Sequence, residues 1–244
     1  MKPTLNTSSV DKAFVLLEFL AASGKPASLQ EVTEAVKLPK PTAYRLLRAL
    51  QKLGYVSRPA DSRNYLVGPR TARLAASDPH AEVKSAARPL LRKLHEKFNE
   101  TINLGKLSGG QVLYLDFLET TQALRYIVTP GQSDPYYSTA LGRAVAAQLT
   151  DAQLERLLTE TRFLAITPNT IKNRQELHRQ LLKARQVGYA EELEESVPGV
   201  CCLAVSLAGL GFPDAAISMA VPAQRLTARR KNSIIRELKA LTES

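Results

Sequence analysis

The chain has 244 residues, 44% of them hydrophobic and 23% charged, with a formal net charge of +10. That composition excludes a disordered or fibrous chain and is ordinary for a soluble globular protein, and at roughly 100–200 residues per domain the length suggests two domains. The positive excess points to a polyanionic partner, nucleic acid or an acidic membrane, without choosing between them. Residues 1–77 hold 12 Lys and Arg against 5 Asp and Glu, a net of +7, whereas residues 78–244 hold 21 against 18, a net of +3. A small basic module followed by a larger, nearly balanced one is the expected organisation. The two cysteines, Cys201 and Cys202, are adjacent, which excludes a disulfide framework and suits a reducing cytosol. The opening MKPTLNTSSV has no apolar stretch behind a basic start. The longest apolar region, Val200 to Phe212, is interrupted by Ser206 and falls short of the ~20 residues of a membrane helix. The expectation is a cytoplasmic protein with no membrane partner.

Val10, Ala13, Phe14, Leu17, Leu20 and Ala21 recur at helical spacing behind Ser8 or Ser9 as a cap. GKP at 24–26 ends this helix. SLQE, Ser28 to Glu31, has capping-box form, and Leu29, Val32, Ala35 and Val36 give the second helix its apolar face. After KLPK a third helix starts near Pro41, a residue tolerated in a first turn. At about 100° per residue, Ala43, Leu46, Leu47, Leu50 and Leu53 share one face. Pro41, Tyr44, Arg45, Arg48 and Lys52 share the other. On a lone helix such a face is ordinarily just solvated. Here two short helices, a tight turn and local positive charge coincide, the layout of a helix-turn-helix over about 28–48. Its second helix meets base edges in the major groove, where Arg forks to guanine. Tyr55 to Arg58 and Asn64 to Val67 read as short strands around a PADS turn, with Arg58 and Arg63 at the tip. Such a wing is placed to touch phosphates or the minor groove.

GPRTARLAA, 68–76, continues as a helical connector into a Ser-Asp-Pro break. A helix is expected from Ala81 to Phe98, with Val83, Ala86, Ala87, Leu90, Leu91, Leu94 and Phe98 as its stripe. Strands are expected at Thr101–Leu107, Val112–Phe117 and Leu124–Val128, the first two joined by SGG at 108–110. Helices follow at Thr139–Leu149, from Asp151, and at Arg174–Val187. Val200–Leu207 and Ala215–Val221 read as strands linked through GLGFPD, and a last helix runs from about Gln224 to Leu241. Helices on an antiparallel sheet make an α+β domain. The boundaries are 1–70 for the DNA-binding module, 71–83 for the connector and 84–244 for the sensor.

Several of these segments carry a family pattern. SSVDKAFVLLEFL, LPKPTAYRLLRALQKLGYVSR and RNYLVG resemble the DNA-binding domain of the IclR family of bacterial transcription regulators. STALGRAVAA, ITPNTI, GYAEELEESVPGVCCLAV and AAISMAVPAQRLT resemble that family's second domain, so the likeness covers nearly the whole chain. It implies a winged helix-turn-helix that contacts double-stranded DNA through Lys40, Pro41, Thr42, Tyr44, Arg45, Arg48, Arg58 and Arg63. It also implies a GAF-like domain binding a small effector, an organic acid or related catabolite, at Thr139, Ala140, Leu141, Gly142, Glu192, Cys202 and Ser218. In that arrangement amides near Leu141 and Gly142 donate to the effector. A homodimer or dimer of dimers on an inverted-repeat operator is implied as well. The chain departs from the pattern at Pro41, where Ser is common, at Val67 before Gly68, at Glu192-Leu193, and at Cys201, where Arg is common.

Taken alone, EELEE reads as a solvated acidic run, Cys202 as a small core residue, and 140–142 as an ordinary helix start. His80, His95 and His178 are far apart, and no C-x-x-C, H-E-x-x-H or P-loop occurs. No catalytic residue, metal or cofactor is expected. Three functions compete: an effector-modulated DNA-binding regulator, a metabolic enzyme that uses the winged helix as a protein-docking module, and a ligand-independent DNA-binding protein. Turnover of a substrate singles out the second, and indifference of DNA affinity to every metabolite singles out the third.

Overall fold

Ser8 opens the first helix of the computed structural model, which describes residues 8–59, 62–75 and 78–242. Its hydroxyl accepts from the Asp11 amide, and the Asp11 carboxylate accepts from the Ser8 amide at 2.9 Å, so α1 (Ser9–Ser23) begins in a capping box. Ser28 and Glu31 form the same box at the start of α2 (Leu29–Val36), and α3 follows at Lys40–Lys52. The three helices close around Leu16, Leu20, Val32, Val36, Leu38, Ala43, Leu47 and Leu50. Leu16, outside the expected stripe, is fully buried, whereas Val10 and Phe14 are 62% and 56% exposed. The α1 stripe is therefore rotated from the expected one, because Leu16 and Leu20 repeat at i, i+4 toward α2 and α3. Ala21, Ala35 and Leu53, also expected inside, are exposed. Two-residue strands β1 (Val56–Ser57) and β2 (Leu66–Val67) pair antiparallel, shorter than the sequence suggests. Ala27 bridges Tyr65 through two backbone bonds of 2.8 and 2.7 Å, tying the loop before α2 to the wing. Gly68, just after β2, leaves room for a close backbone approach, since a Cβ there would lie 2.3 Å from the Gly54 carbonyl oxygen. Helix α4 spans Arg70–Ala75, and this first unit runs to Pro79. Ala60 and Asp61 of the wing turn, and Ala76 and Ser77 of the expected connector, lie outside the described residues.

The second unit, from His80, is built on a six-stranded antiparallel sheet in the order β5-β4-β3-β8-β7-β6. In chain order it holds α5 (Ala81–Phe98), β3 (Thr101–Ser108), β4 (Gln111–Leu118), β5 (Ser133–Pro135), α6 (Ala140–Ala146), α7 (Asp151–Glu160) and α8 (Arg174–Val187). Then come β6 (Ala190–Leu193), β7 (Val200–Leu207), β8 (Phe212–Pro222) and α9 (Ala228–Lys239). Strand alternation sorts the side chains. Ile102, Leu104, Leu203, Val205, Ile217 and Met219 form one core with α5 and α9. Val112, Tyr114, Ala204 and Ala216 form another with α6, α7 and α8.

Some expected elements differ. Leu124–Val128 is not a strand: Arg125 donates to the Gln122 and Ala123 carbonyls and Arg225 to that of Leu124, so side chains occupy backbone groups a ladder would use. The edge strand beside β4 is β5 instead. Helix α6 is shorter than Thr139–Leu149, α9 starts at Ala228 after a 3-10 turn at Ala223–Arg225, and Ala86 on α5 is exposed. The segment read as an acidic run overlaps β6, on which Ala190 and Glu192 are buried.

Candidate functional site

In the first unit, Lys37 closes α2 in the left-handed conformation, φ 53°, and Leu38 is buried beneath the turn. Pro39 cannot continue a helix from Leu38, and its carbonyl accepts from the Thr42 and Ala43 amides at 2.9 and 3.0 Å, which starts α3. Pro41 then sits in the first turn. With Ala43, Leu47 and Leu50 buried, Lys40, Pro41, Tyr44, Arg45, Arg48 and Lys52 are exposed and Thr42 is half-buried. Among the described residues, the side chains of Lys40, Arg45, Arg48 and Lys52 make no hydrogen bond or ion pair. In the wing, Arg63 is exposed and likewise unpaired. Arg58 is engaged: it donates to the Ser62 carbonyl at 3.3 Å and stacks 5.5 Å from the Tyr65 ring centre, so it braces the wing. Arg70 donates to the Leu53 carbonyl at 3.1 Å and lies over Tyr55.

In the second unit, strand pairing sets residues in rows across the sheet. One row runs Thr101, Ala220, Cys202, Glu192 and the next Asn103, Ser218, Ala204, Ala190. Cys202 and Ala204 belong to the α6 face, so Glu192, Cys202 and Ser218 share it. The amide predicted to reach a ligand from Gly142 is instead used by Thr139, whose hydroxyl accepts from it at 3.1 Å. Gly142 has a packing reason of its own, since a Cβ there would stand 2.4 Å from Tyr136 Cα. Thr139, Ala140, Leu141 and Gly142 are buried and form the α6 start against that turn.

Arg143 was not singled out from the sequence. It is 3% exposed, pairs with both carboxylate oxygens of Glu195, and donates to the carbonyls of Tyr137 and Glu191. These bonds use its whole fork. Glu192 is fully buried. Its Oε1 accepts from the amides of Glu195 and Ser196 at 2.5 and 2.9 Å. Desolvation raises the Glu192 carboxyl above its usual range, against the lowering effect of those two amides. Desolvation and the neighbouring Glu192 push the Cys202 thiol well up as well. Tyr126, burial-raised to about 12, and Tyr114, raised further, interact with Asp134 and Cys202. Burial also pushes the Cys201 thiol up, to about 11. Asn103, Tyr114, Tyr126 and Asp134 thus join this region without having been read from sequence. Only Asn103 carried a signal: Thr101, Asn103 and Gly105 alternate with Ile102 and Leu104, marking a polar inward face.

Residues 9–60 match the IclR helix-turn-helix domain, and residues 76–244 match the family described as bacterial transcriptional regulator IclR C-terminal. The chain belongs to the IclR family. The probable transcriptional regulator SauR of Cupriavidus necator is 36% identical over 88% of this chain and 86% of its own length. The repressor AllR of Escherichia coli K12 is 28% identical over 91% and 83%. The crystal structure of Thermotoga maritima IclR superposes with a TM-score of 0.79 at 27% identity, covering 96% of both chains. As an IclR-family member this protein is a DNA-binding transcription regulator rather than an enzyme, with an effector-binding C-terminal domain. Among the described residues, no helix is long and apolar enough to cross a membrane.

Proposed function

We propose that this IclR-family regulator reads an inverted-repeat operator through α3, in the cytoplasm, as a homodimer or dimer of dimers. The observation that carries the reading is the exposed, unpaired pair Arg45 and Arg48 on a helix whose opposite face is buried. Lys40, Pro41, Thr42 and Tyr44 flank them at the end of the helix that meets base edges. Arg63 supplies a phosphate contact, and Arg58 holds the wing that presents it. One winged helix reads few base pairs against a genome of competing sites, so two half-sites about one helical turn apart are needed.

The effector site of this reading is the α6 face of the sheet around Glu192, Cys202 and Ser218, with Thr139 to Gly142 shaping its rim rather than donating from Gly142. An effector changes operator affinity only by binding one arrangement of the protein better than another, a coupling of about 1–3 kcal/mol. Footprinting of the DNA upstream of the protein's own gene, repeated with a panel of metabolites, tests this. A protected inverted repeat whose occupancy shifts with one metabolite is expected. Protection without symmetry, or indifference to every metabolite, contradicts it.

A further inference from the structure

Charge in the second unit is sorted by layer. Helices α5 and α9 pack on the same face of the sheet. Together they hold 10 Lys and Arg against 3 Asp and Glu, a net of +7. The rest of residues 78–244 holds 11 against 15, a net of −4. Neighbouring acids answer part of the excess: Asp116 pairs with Arg88, Glu100 with Arg230 and Glu191 with Lys231. Arg92 on α5 and Arg229 on α9 are exposed and make no hydrogen bond or ion pair among the described residues. A layer that stays positive over an otherwise acidic unit marks a surface for a polyanion.

The outer side of α5 is also shaped. Lys84, Ser85, Arg88, Pro89, Arg92 and Lys93 line an open groove of about 620 Å³, completed by Glu96 and by Asp116, the partner of Arg88. Lys84, Arg88 and Arg92 recur every four residues, so they form one row with a rise of about 6 Å between neighbours. Ser85 and Pro89 are short and exposed beside that row, which lets a chain backbone come close to the cations. From Lys84 to Lys93 the helix rises about 14 Å, the axial length of about four phosphates on one strand of duplex DNA. Pro89 is the one apolar residue of the lining, so the groove lacks the walls of a small-molecule pocket. A second copy of α5 brings charge of the same sign and is repelled.

We propose that the α5 groove is a second DNA contact, which takes the sugar-phosphate backbone of the duplex through Arg92 and Lys93 without reading bases. Lys84, at the start of the groove, follows the end of the first unit, Pro79, by five residues, so the groove is tethered to the unit that carries the recognition helix. Tethering makes the second contact intramolecular, and a contact too weak to hold DNA alone still adds to affinity. Such contacts fix position and strength rather than sequence. The inference rests on the chain's DNA binding and not on the reading of α3 or on the symmetry of the operator.

Fluorescence anisotropy over a salt series tests this, on a duplex that wild type selects from a random pool, extended by about one helical turn of mixed sequence at each end. Three full-length proteins are compared: wild type, Arg92→Gln/Lys93→Gln, and the control Lys172→Gln/Arg179→Gln. The control residues are exposed, Arg179 lies on α8 across the sheet from α5, and the same two charges are removed. The expected result is that Arg92→Gln/Lys93→Gln flattens the slope of log affinity against log salt by about two for each protomer bound, at about 0.9 per lost phosphate contact. Base preference, read with point-substituted duplexes, stays that of wild type, and the control keeps the wild-type slope. An unchanged slope in Arg92→Gln/Lys93→Gln overturns the inference. Equal flattening in the control does so too, because the effect then belongs to net charge. A shifted base preference also overturns it, since the groove would then read sequence. The reading of α3 fails by a different result, an unchanged base preference in Arg45→Ala/Arg48→Ala. If wild type selects no operator, that reading fails and the same slopes are compared on a mixed-sequence duplex.

Discussion

Arg45 and Arg48 on α3 and Arg143 on α6 are the same side chain in opposite circumstances. The first two project from a helix whose other face is buried, and no group among the described residues answers their charge. Arg143 is enclosed and answered by Glu195 and two carbonyls. The contrast extends beyond single residues. In the second unit Glu100, fully buried, accepts from Arg225 and Arg230, and Arg88 pairs with Asp116 at 2.7 Å. The second unit thus pairs much of its charge internally, while the exposed charges of α3 and Arg63 have no partner among the described residues. Net charge alone would not separate the two cases; pairing does.

The comparison breaks most visibly at Arg143. Arg143→Ala leaves Glu195 buried without its cation and should cost about 3–5 kcal/mol of stability in the second unit, read as a lower midpoint in urea unfolding. A midpoint like that of wild type would mean the pair is replaceable by water. Arg45→Ala and Arg48→Ala should do the reverse. Each leaves the melting temperature almost unmoved but weakens operator binding by about 1–3 kcal/mol and relaxes preference at one base pair. Fluorescence anisotropy with duplexes varied one base pair at a time reads both effects.

Glu192 tests the buried side through pH. Because its carboxyl is raised in the folded protein, the folded state binds that proton more tightly than the unfolded chain does. Its contribution favours the fold below the ordinary carboxyl range and is lost as pH rises through the raised value. Glu192→Gln should therefore melt above wild type at neutral pH, and the gap should close below about pH 4. A gap independent of pH would assign the effect to packing. The smallest effect belongs to the wing. Arg63→Ala should weaken binding alike for all sequences and flatten the slope of log affinity against log salt by about one. A change in base preference at constant salt slope would make the wing a reader of bases.

The helix-turn-helix was legible because its signals are local. Two capping patterns, a Pro-Lys-Pro turn and an arginine-bearing face within 28–48 needed no distant partner to interpret. The α1 register was misjudged since Val10 and Phe14 fit a helical stripe as well as Leu16 does, and only packing against α2 and α3 separates them. On the sensor side, Glu192 looked solvated in EELEE because burial of β6 depends on β7, and on α6 and α8 packed against it. Arg143 and Glu195 lie 52 residues apart, so no spacing rule joins them. Tyr126 lies outside the strands and Asp134 on β5, at the opposite edge of the sheet from β6, so no strand periodicity links either of them to Cys202.

The central claim, that α3 confers sequence-specific DNA binding, is tested most directly by selecting duplexes from a random-sequence pool with wild type and with the Arg45→Ala/Arg48→Ala double variant. The account predicts that wild type enriches an inverted repeat with half-sites about one helical turn apart, and that the double variant, equally well folded, enriches no such sequence. Enrichment of the same repeat by the double variant, or of nothing by wild type, would contradict it.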